Sequence, residues 1–243
     1  MYKIIIFTAL IFSSNIIYGQ GGQFFDAPFG GGIGYVPAWY IPNADPINSQ
    51  LSQTGMPELS TSGFYSSGIA GFLYIGFVKN LRIGGMGFGG CLSSTQTVDN
   101  INREVVYSLS GGGVTIEYTL PFIKNMGLSV GAVIGAGSMN LELFRNTGDF
   151  SWGGMWEELS DPNVSSESYY GKLRNHYWMV TPTLNFDYPV YRFIVLRLGV
   201  GYQLTFADEW TADNDQPVSG IPSDLNGNAF FIQSGIFVGF FSF

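Results

Sequence analysis

The stretch Ile194-Val195-Leu196-Arg197-Leu198-Gly199-Val200-Gly201-Tyr202-Gln203-Leu204-Thr205-Phe206 decides the fold. Successive side chains of a β-strand point to opposite faces, so residues two apart share a face. Ile194, Leu196, Leu198, Val200, Tyr202, Leu204 and Phe206 therefore line one face, while Phe193 just before the stretch, Val195, Arg197, Gly199, Gly201, Gln203 and Thr205 line the other. The preceding segment repeats the pattern. Trp178, Val180, Pro182, Leu184, Phe186 and Tyr188 share a face opposite Asn175, Tyr177, Met179, Thr181, Thr183, Asn185 and Asp187. The second face of each strand is rich in Thr, Asn and Gly rather than Lys and Glu. A soluble barrel turns its polar face to water and needs many charges there. The composition does not supply them: charged residues are 12% against 46% hydrophobic, 16% aromatic and 34 Gly. The reading is that the apolar face meets lipid and the polar face fills a lumen.

Working outward, the same alternation marks strands at about 29–40, 63–76, 81–95, 104–120, 126–145, 173–189, 192–207 and 228–243. The fold class expected is all-β, a transmembrane antiparallel up-and-down β-barrel of about eight strands. Connections around 77–80, 121–125 and 189–191 are short, and those at 41–62, 96–103, 146–172 and 208–227 are longer. Short periplasmic turns and long external loops are the usual asymmetry of such barrels, and an even strand number leaves both termini periplasmic. Pro182 removes a ladder donor and marks a local weakness or bulge in its strand. Gly84-Gly85-Met86-Gly87-Phe88-Gly89-Gly90 and Gly111-Gly112-Gly113 interrupt the alternation where a narrow barrel bends sharply. In the first long loop Asp45 suits an N-cap, Pro46 the first helical position and Gly55 the C-terminal cap. Ile47 and Leu51 then share a face, which predicts a short helix over the barrel mouth.

Met1-Tyr2-Lys3 followed by the apolar run Ile4 to Phe12 reads as a signal peptide spanning 1–19, with the barrel domain at 20–243. The apolar run is short for a membrane helix, which needs roughly 20 residues. No later stretch has the length and apolarity of such a helix. A net charge of −8 speaks against nucleic acid as a partner. The single cysteine, Cys91, excludes an intramolecular disulfide and a cysteine-cluster metal site.

The chain ends Phe230-Phe231-Ile232-Gln233-Ser234-Gly235-Ile236-Phe237-Val238-Gly239-Phe240-Phe241-Ser242-Phe243. A last strand of alternating apolar residues closing on a terminal Phe resembles the assembly signal of small bacterial outer-membrane β-barrel proteins. Phe237, Phe241 and Phe243 match its alternation. Gly239 departs from it, and Ile236, Val238 and Phe240 make the other face apolar too, so the facing of this strand stays open. The resemblance implies an integral outer-membrane protein whose partners are outer-membrane lipid and the barrel-insertion machinery.

Four charges fall on lumen-facing positions near the short-turn end: Arg82, Glu117, Asp187 and Arg197. Two cations and two anions in one narrow interior are expected to neutralise one another, because an unpaired buried charge is costly. An eight-stranded interior is only wide enough for its side chains, which speaks against an open pore. Acids gather in the long loops, Asp149, Glu157, Glu158, Asp161 and Glu167 in one and Asp208, Glu209, Asp213, Asp215 and Asp224 in another, while the short turns carry Lys79, Lys124 and Arg192. Asp213-Asn214-Asp215 is a fragment of a Ca²⁺ loop without its Gly and closing Glu. Gly85-Met86-Gly87-Phe88-Gly89-Gly90 fits the dinucleotide fingerprint literally, yet no helix pattern follows it. His176, the only histidine, sits at the loop-side rim near Ser165, Ser166 and Ser168, and reads as a rim residue rather than a catalytic base. No catalytic constellation, cofactor or metal site is expected. The function expected is structural or surface-interactive, with a filled lumen and acidic external loops. The alternative is a narrow transport barrel for a small or hydrophobic solute, and a third reading is a lipid-modifying enzyme.

Overall fold

The computed structural model describes residues 29–121, 126–148, 151–154, 156 and 168–242. The expected leader at 1–19, Lys124, Asp149, Glu157, Glu158, Asp161, Ser165, Ser166, Glu167 and Phe243 lie outside the described residues. Among the described residues the main elements are β1 Phe29–Tyr35, β2 Ala38–Pro42, α1 Asp45–Gln53, β3 Phe64–Tyr74, β4 Leu81–Val98, β5 Ile101–Thr119, β6 Gly127–Asn146, β7 Tyr169–Tyr191, β8 Ile194–Ala207, β9 Thr211–Ala212, β10 Gln216–Pro217 and β11 Ala229–Ser242. All pairings are antiparallel, and the sheet closes into a ring of 8 strands. β1 and β2 together form the first ring strand, broken at Val36-Pro37. Each half pairs β11 on one side and β3 on the other. The break leaves no gap: Val36 N–H donates to the Gly68 carbonyl (2.8 Å) and the Pro37 carbonyl accepts from Ser234 N–H (2.9 Å).

Alternation produces the sidedness. On β8, Leu196, Leu198, Val200, Tyr202, Leu204 and Phe206 are exposed, whereas Val195, Arg197 and Gln203 are buried; Phe193, placed inward by alternation, precedes the strand and is exposed. On β7, Trp178, Val180, Leu184, Phe186 and Tyr188 are exposed, whereas Asn175, Thr181, Asn185 and Asp187 are buried. On β11 the outward set is Phe230, Ile232, Ile236, Val238 and Phe240. That settles the strand left open by its two apolar faces. From Leu196 to Phe206, ten residues at roughly 3.3 Å each and a tilt of roughly 40° give about 25 Å along the axis, the height of a hydrocarbon band.

Three expectations are corrected. Residues 96–103 do not form a long loop: β4 and β5 run on to a two-residue turn at Asp99 and Asn100, both at positive φ (51° and 60°). Asp and Asn tolerate that region best after Gly, which suits the tight hairpin turn. β7 begins at Tyr169 rather than near 173, so β4–β7 extend well above the rest of the ring. Asp45 does not cap α1; Ala44 holds the N-cap position without a side-chain bond, and Asp45 and Pro46 occupy the first turn. The Asn43 side chain accepts the Asp45 N–H instead (3.1 Å). Gly55, at φ 72°, does end the helix. Of the two alternatives for Pro182 the local weakness holds: β7–β8 pairing skips Thr181 and Pro182 and resumes at Thr183 in the same register, while the irregularity lies at Pro189/Tyr191.

Sharp curvature depends on particular glycines. Gly135 of β6 lies beside Gly112 and Gly113 of β5, and a Cβ there collides with the Gly112 carbonyl oxygen. Ala136 faces outward, where there is room. We expect Gly135→Val to lose about 1–3 kcal/mol by overpacking, or to fail to close. Ala136→Val should leave stability within about 0.5 kcal/mol. Heat-modifiable gel mobility after refolding into vesicles reads both; equal behaviour of the two variants contradicts the closure argument.

Candidate functional site

The most structured polar feature is inside the ring, toward the short-turn end. Register places Arg82 directly opposite Glu117 across β4–β5, and Asp187 opposite Arg197 across β7–β8. β6 lies between these strands and contributes Gly131 opposite Glu117. A Cβ at Gly131 meets the Glu117 Cγ at 2.8 Å, so the glycine leaves Glu117 room to cross the lumen. Arg82 Nη1 donates to Asp187 (2.6 Å) and its Nη2 pairs with Glu117 (2.8 Å) and donates to Ser129 (2.6 Å). Arg197 donates from Nε and Nη2 to Asp187 (2.7 and 2.9 Å) and from Nη1 and Nη2 to Glu117 (3.2 and 3.3 Å). Each carboxylate thus touches both guanidinium groups, and the four formal charges cancel. All four residues are buried.

The shell around the four includes residues that charge alone did not reveal. Asn185 donates to Glu117 (2.8 Å) and accepts from Gln233 (2.7 Å). Arg82 lies over the Phe72 ring at 4.7 Å and Arg197 over the Phe237 ring at 4.6 Å. Phe237, assigned by sequence to the C-terminal assembly signal, therefore turns into the lumen. The side chain of Phe241, and Phe243 as a whole, lie outside the described residues. The period-two pattern held the signal for Gln233, which shares the inward face of β11 with Phe231 and Phe237.

The lumen is not polar throughout, which corrects the expectation of a hydrophilic middle. Its loop-side half is an apolar plug. Tyr40 stacks on Phe88 (5.1 Å) and Phe231 (4.8 Å), over Tyr107, Leu109, Met139 and Met179. α1 closes the top with Ile47 and Leu51, and Asn48 clamps the following loop through both Leu59 backbone groups (3.1 and 2.8 Å). A narrow closed ring must be filled, and on this side loops and helix bring in apolar side chains of their own. Between plug and charge cluster lies a cavity of about 10 Å³ bordered by Thr115, Glu117, Asn185 and Gln233. That is room for about one water molecule.

The remaining candidates do not converge. His176 faces outward on β7, opposite Ser138. Asp213, Asn214 and Asp215 form the turn between β9 and β10, and no group of acids, His or Cys suited to a metal ion occurs among the described residues. Gly85 to Gly90 lie within β4, with no helix after them.

No protein-family model matches the sequence, and no curated protein does. Among solved structures the chain is similar to Ail, the attachment invasion locus protein of Yersinia pestis, in complex with the heparin analogue sucrose octasulfate. That match has 13% identity over 87% of this chain and 99% of the other, with a TM-score of 0.40. It is similar also to Neisserial surface protein A, at 9% identity over 87% of this chain and 97% of the other, with a TM-score of 0.33. Both are small eight-stranded outer-membrane β-barrels. At such scores the correspondence is loose, and the architecture here rests on the strand pairings themselves.

Breaking the cluster on one side leaves a buried charge uncompensated. Asp187→Asn should cost about 3–5 kcal/mol. Lys172→Gln, which removes a half-exposed ion pair with Glu142 (2.7 Å), should cost at most about 1 kcal/mol. Equilibrium urea unfolding in vesicles measures both, and similar losses contradict a coupled interior network.

Proposed function

We propose that the chain is an integral outer-membrane β-barrel with a structural or surface-interaction role, a filled lumen and acidic external loops. The observation that carries the reading is sidedness: large apolar side chains stand exposed around the outside of the ring while Arg82, Glu117, Asp187 and Arg197 are buried within it. Among sheets, only a closed barrel satisfies every backbone group in hydrocarbon. The tall β4–β7 extension, with its aromatic and charged rim, is the surface offered to partners. The termini face the periplasm, the leader is removed on export, and the last strand is read by the barrel-insertion machinery. The reading includes no catalysis and no cofactor.

The apolar loop-side half of the lumen favours one second reading, a narrow path for a hydrophobic solute. Conductance and permeation separate the two. In planar bilayers the filled barrel shows no stable single-channel steps, and vesicles containing it do not swell in small sugars. A steady ohmic channel from the wild-type protein would overturn the filled-lumen reading.

A further inference from the structure

The outward wall of β4–β7 changes character at one height. Three register lines cross it. The lowest runs Gly87, Gly112, Ala136 and Trp178; the next Gly89, Ser110, Ser138 and His176; the third Cys91, Ser108, Asn140 and Arg174. Trp178 pairs with Phe206, and both are exposed at the upper limit of the apolar band. His176 and Arg174 stand two and four residues above Trp178 on the same outward face, roughly 5 and 10 Å along the axis. Aromatic girdles mark the membrane interface, so this is the depth of lipid headgroups.

At that depth the side chains are donors. Arg174 is exposed and has no carboxylate partner among the described residues. The acid nearest in register, Glu142, is taken by Lys172 at 2.7 Å. Asp208 and Glu209 are the next acids along the rim, in the segment leading to Thr211 opposite Arg174, and neither pairs with Arg174; the Asp208 N–H donates to the His176 carbonyl (3.0 Å). Asn140 lies opposite Arg174 and Ser138 opposite His176, with the Ser138 and Ser110 hydroxyls 3.2 Å apart. Below them Gly87, Gly112 and Ala136 leave a nearly bare backbone wall beside the Trp178 ring, against which a hydrocarbon chain lies flat. Beyond Gly87 and Trp178 the same register line bears large exposed side chains, Ile69 on β3 and Phe206 on β8.

We propose that this wall binds the phosphate-bearing headgroup of an anionic lipid in the outward-facing leaflet. Arg174 is the charged contact, His176, Asn140 and Ser138 are polar contacts, and one acyl chain rests on the Gly87–Gly112–Ala136 wall. The proposal rests on the membrane-barrel reading above. Charge complementarity selects phosphate, and position selects a lipid over a soluble anion, because the donors lie directly above the apolar band and face away from the lumen.

The test uses the full barrel in phosphatidylcholine vesicles doped with phosphatidic acid, after a carbonate wash. The amount of phosphatidic acid retained per barrel on transfer to detergent is read by mass spectrometry. Removing one cation near a membrane surface should lower retention about five-fold in Arg174→Gln. Lys79→Gln, at the opposite rim and well beyond a screening length from the wall, should change it less than about two-fold. Both variants alter exposed charges, and heat-modifiable mobility verifies folding. Unchanged retention in Arg174→Gln, or equal loss in both variants, overturns the lipid site while leaving the barrel in place. Release of wild-type protein by carbonate overturns the membrane reading itself.

Discussion

Closure of β11 onto the broken β1–β2 strand is the constraint on which the rest depends. A sheet with a free edge exposes a row of unpaired N–H and C=O groups, and hydrocarbon offers them no partner. The ring removes that edge with pairings from Phe29↔Ser242 to Pro42↔Ala229, bridged at the Val36-Pro37 break by the Ser234 N–H, which donates to the Pro37 carbonyl. Once closed, a ring of this size fixes an interior only as wide as side chains. Everything inside must then be packed and paired, which accounts for both the charge cluster and the aromatic plug.

The two halves of the lumen solve the filling problem differently. Toward the short turns the described residues include no helix or long loop, and long side chains reach across from the wall. Arg and carboxylate do this at no net charge, with Asn185, Gln233 and the Phe72 and Phe237 rings around them. Toward the loops, α1 and the segment through Leu59 supply apolar volume, and Trp210 and Leu225 close the other side. Paired buried charges are weak evidence for stability, but they fix relative strand positions, because each carboxylate has to meet guanidinium groups from both β4 and β8.

The ring was legible in the sequence because period-two alternation fixes facing without knowledge of partners. Leu196 and Trp178 pointed outward, and Arg82, Glu117, Asp187 and Arg197 inward, on that rule alone. What alternation did not give was the character of the inward set near the loops. Tyr107, Leu109 and Met139 look like lipid-facing residues in a one-dimensional reading, since apolarity does not distinguish hydrocarbon from a packed plug. The terminal strand was ambiguous for the same reason: Phe237 and Val238 are both apolar, and only the pairing with β1 and β8 assigns Phe237 to the lumen. The hairpin at Asp99-Asn100 is hidden in a one-dimensional reading, because polar residues at strand ends resemble loop. The β4–β5 ladder carries Thr, Gln, Asn and Arg beyond the apolar band, where polar side chains are at home on either face.

Sidedness is the central claim, and site-directed quenching tests it most directly. In a Cys91→Ser background, Leu198→Cys carries a small fluorophore on the outward face of β8, and the labelled barrel is refolded into vesicles. Strong quenching by a nitroxide fixed within the lipid chains, with little effect of aqueous iodide, is the result expected. Ready quenching by iodide with none from the lipid-borne nitroxide would mean a wetted exterior and would contradict it.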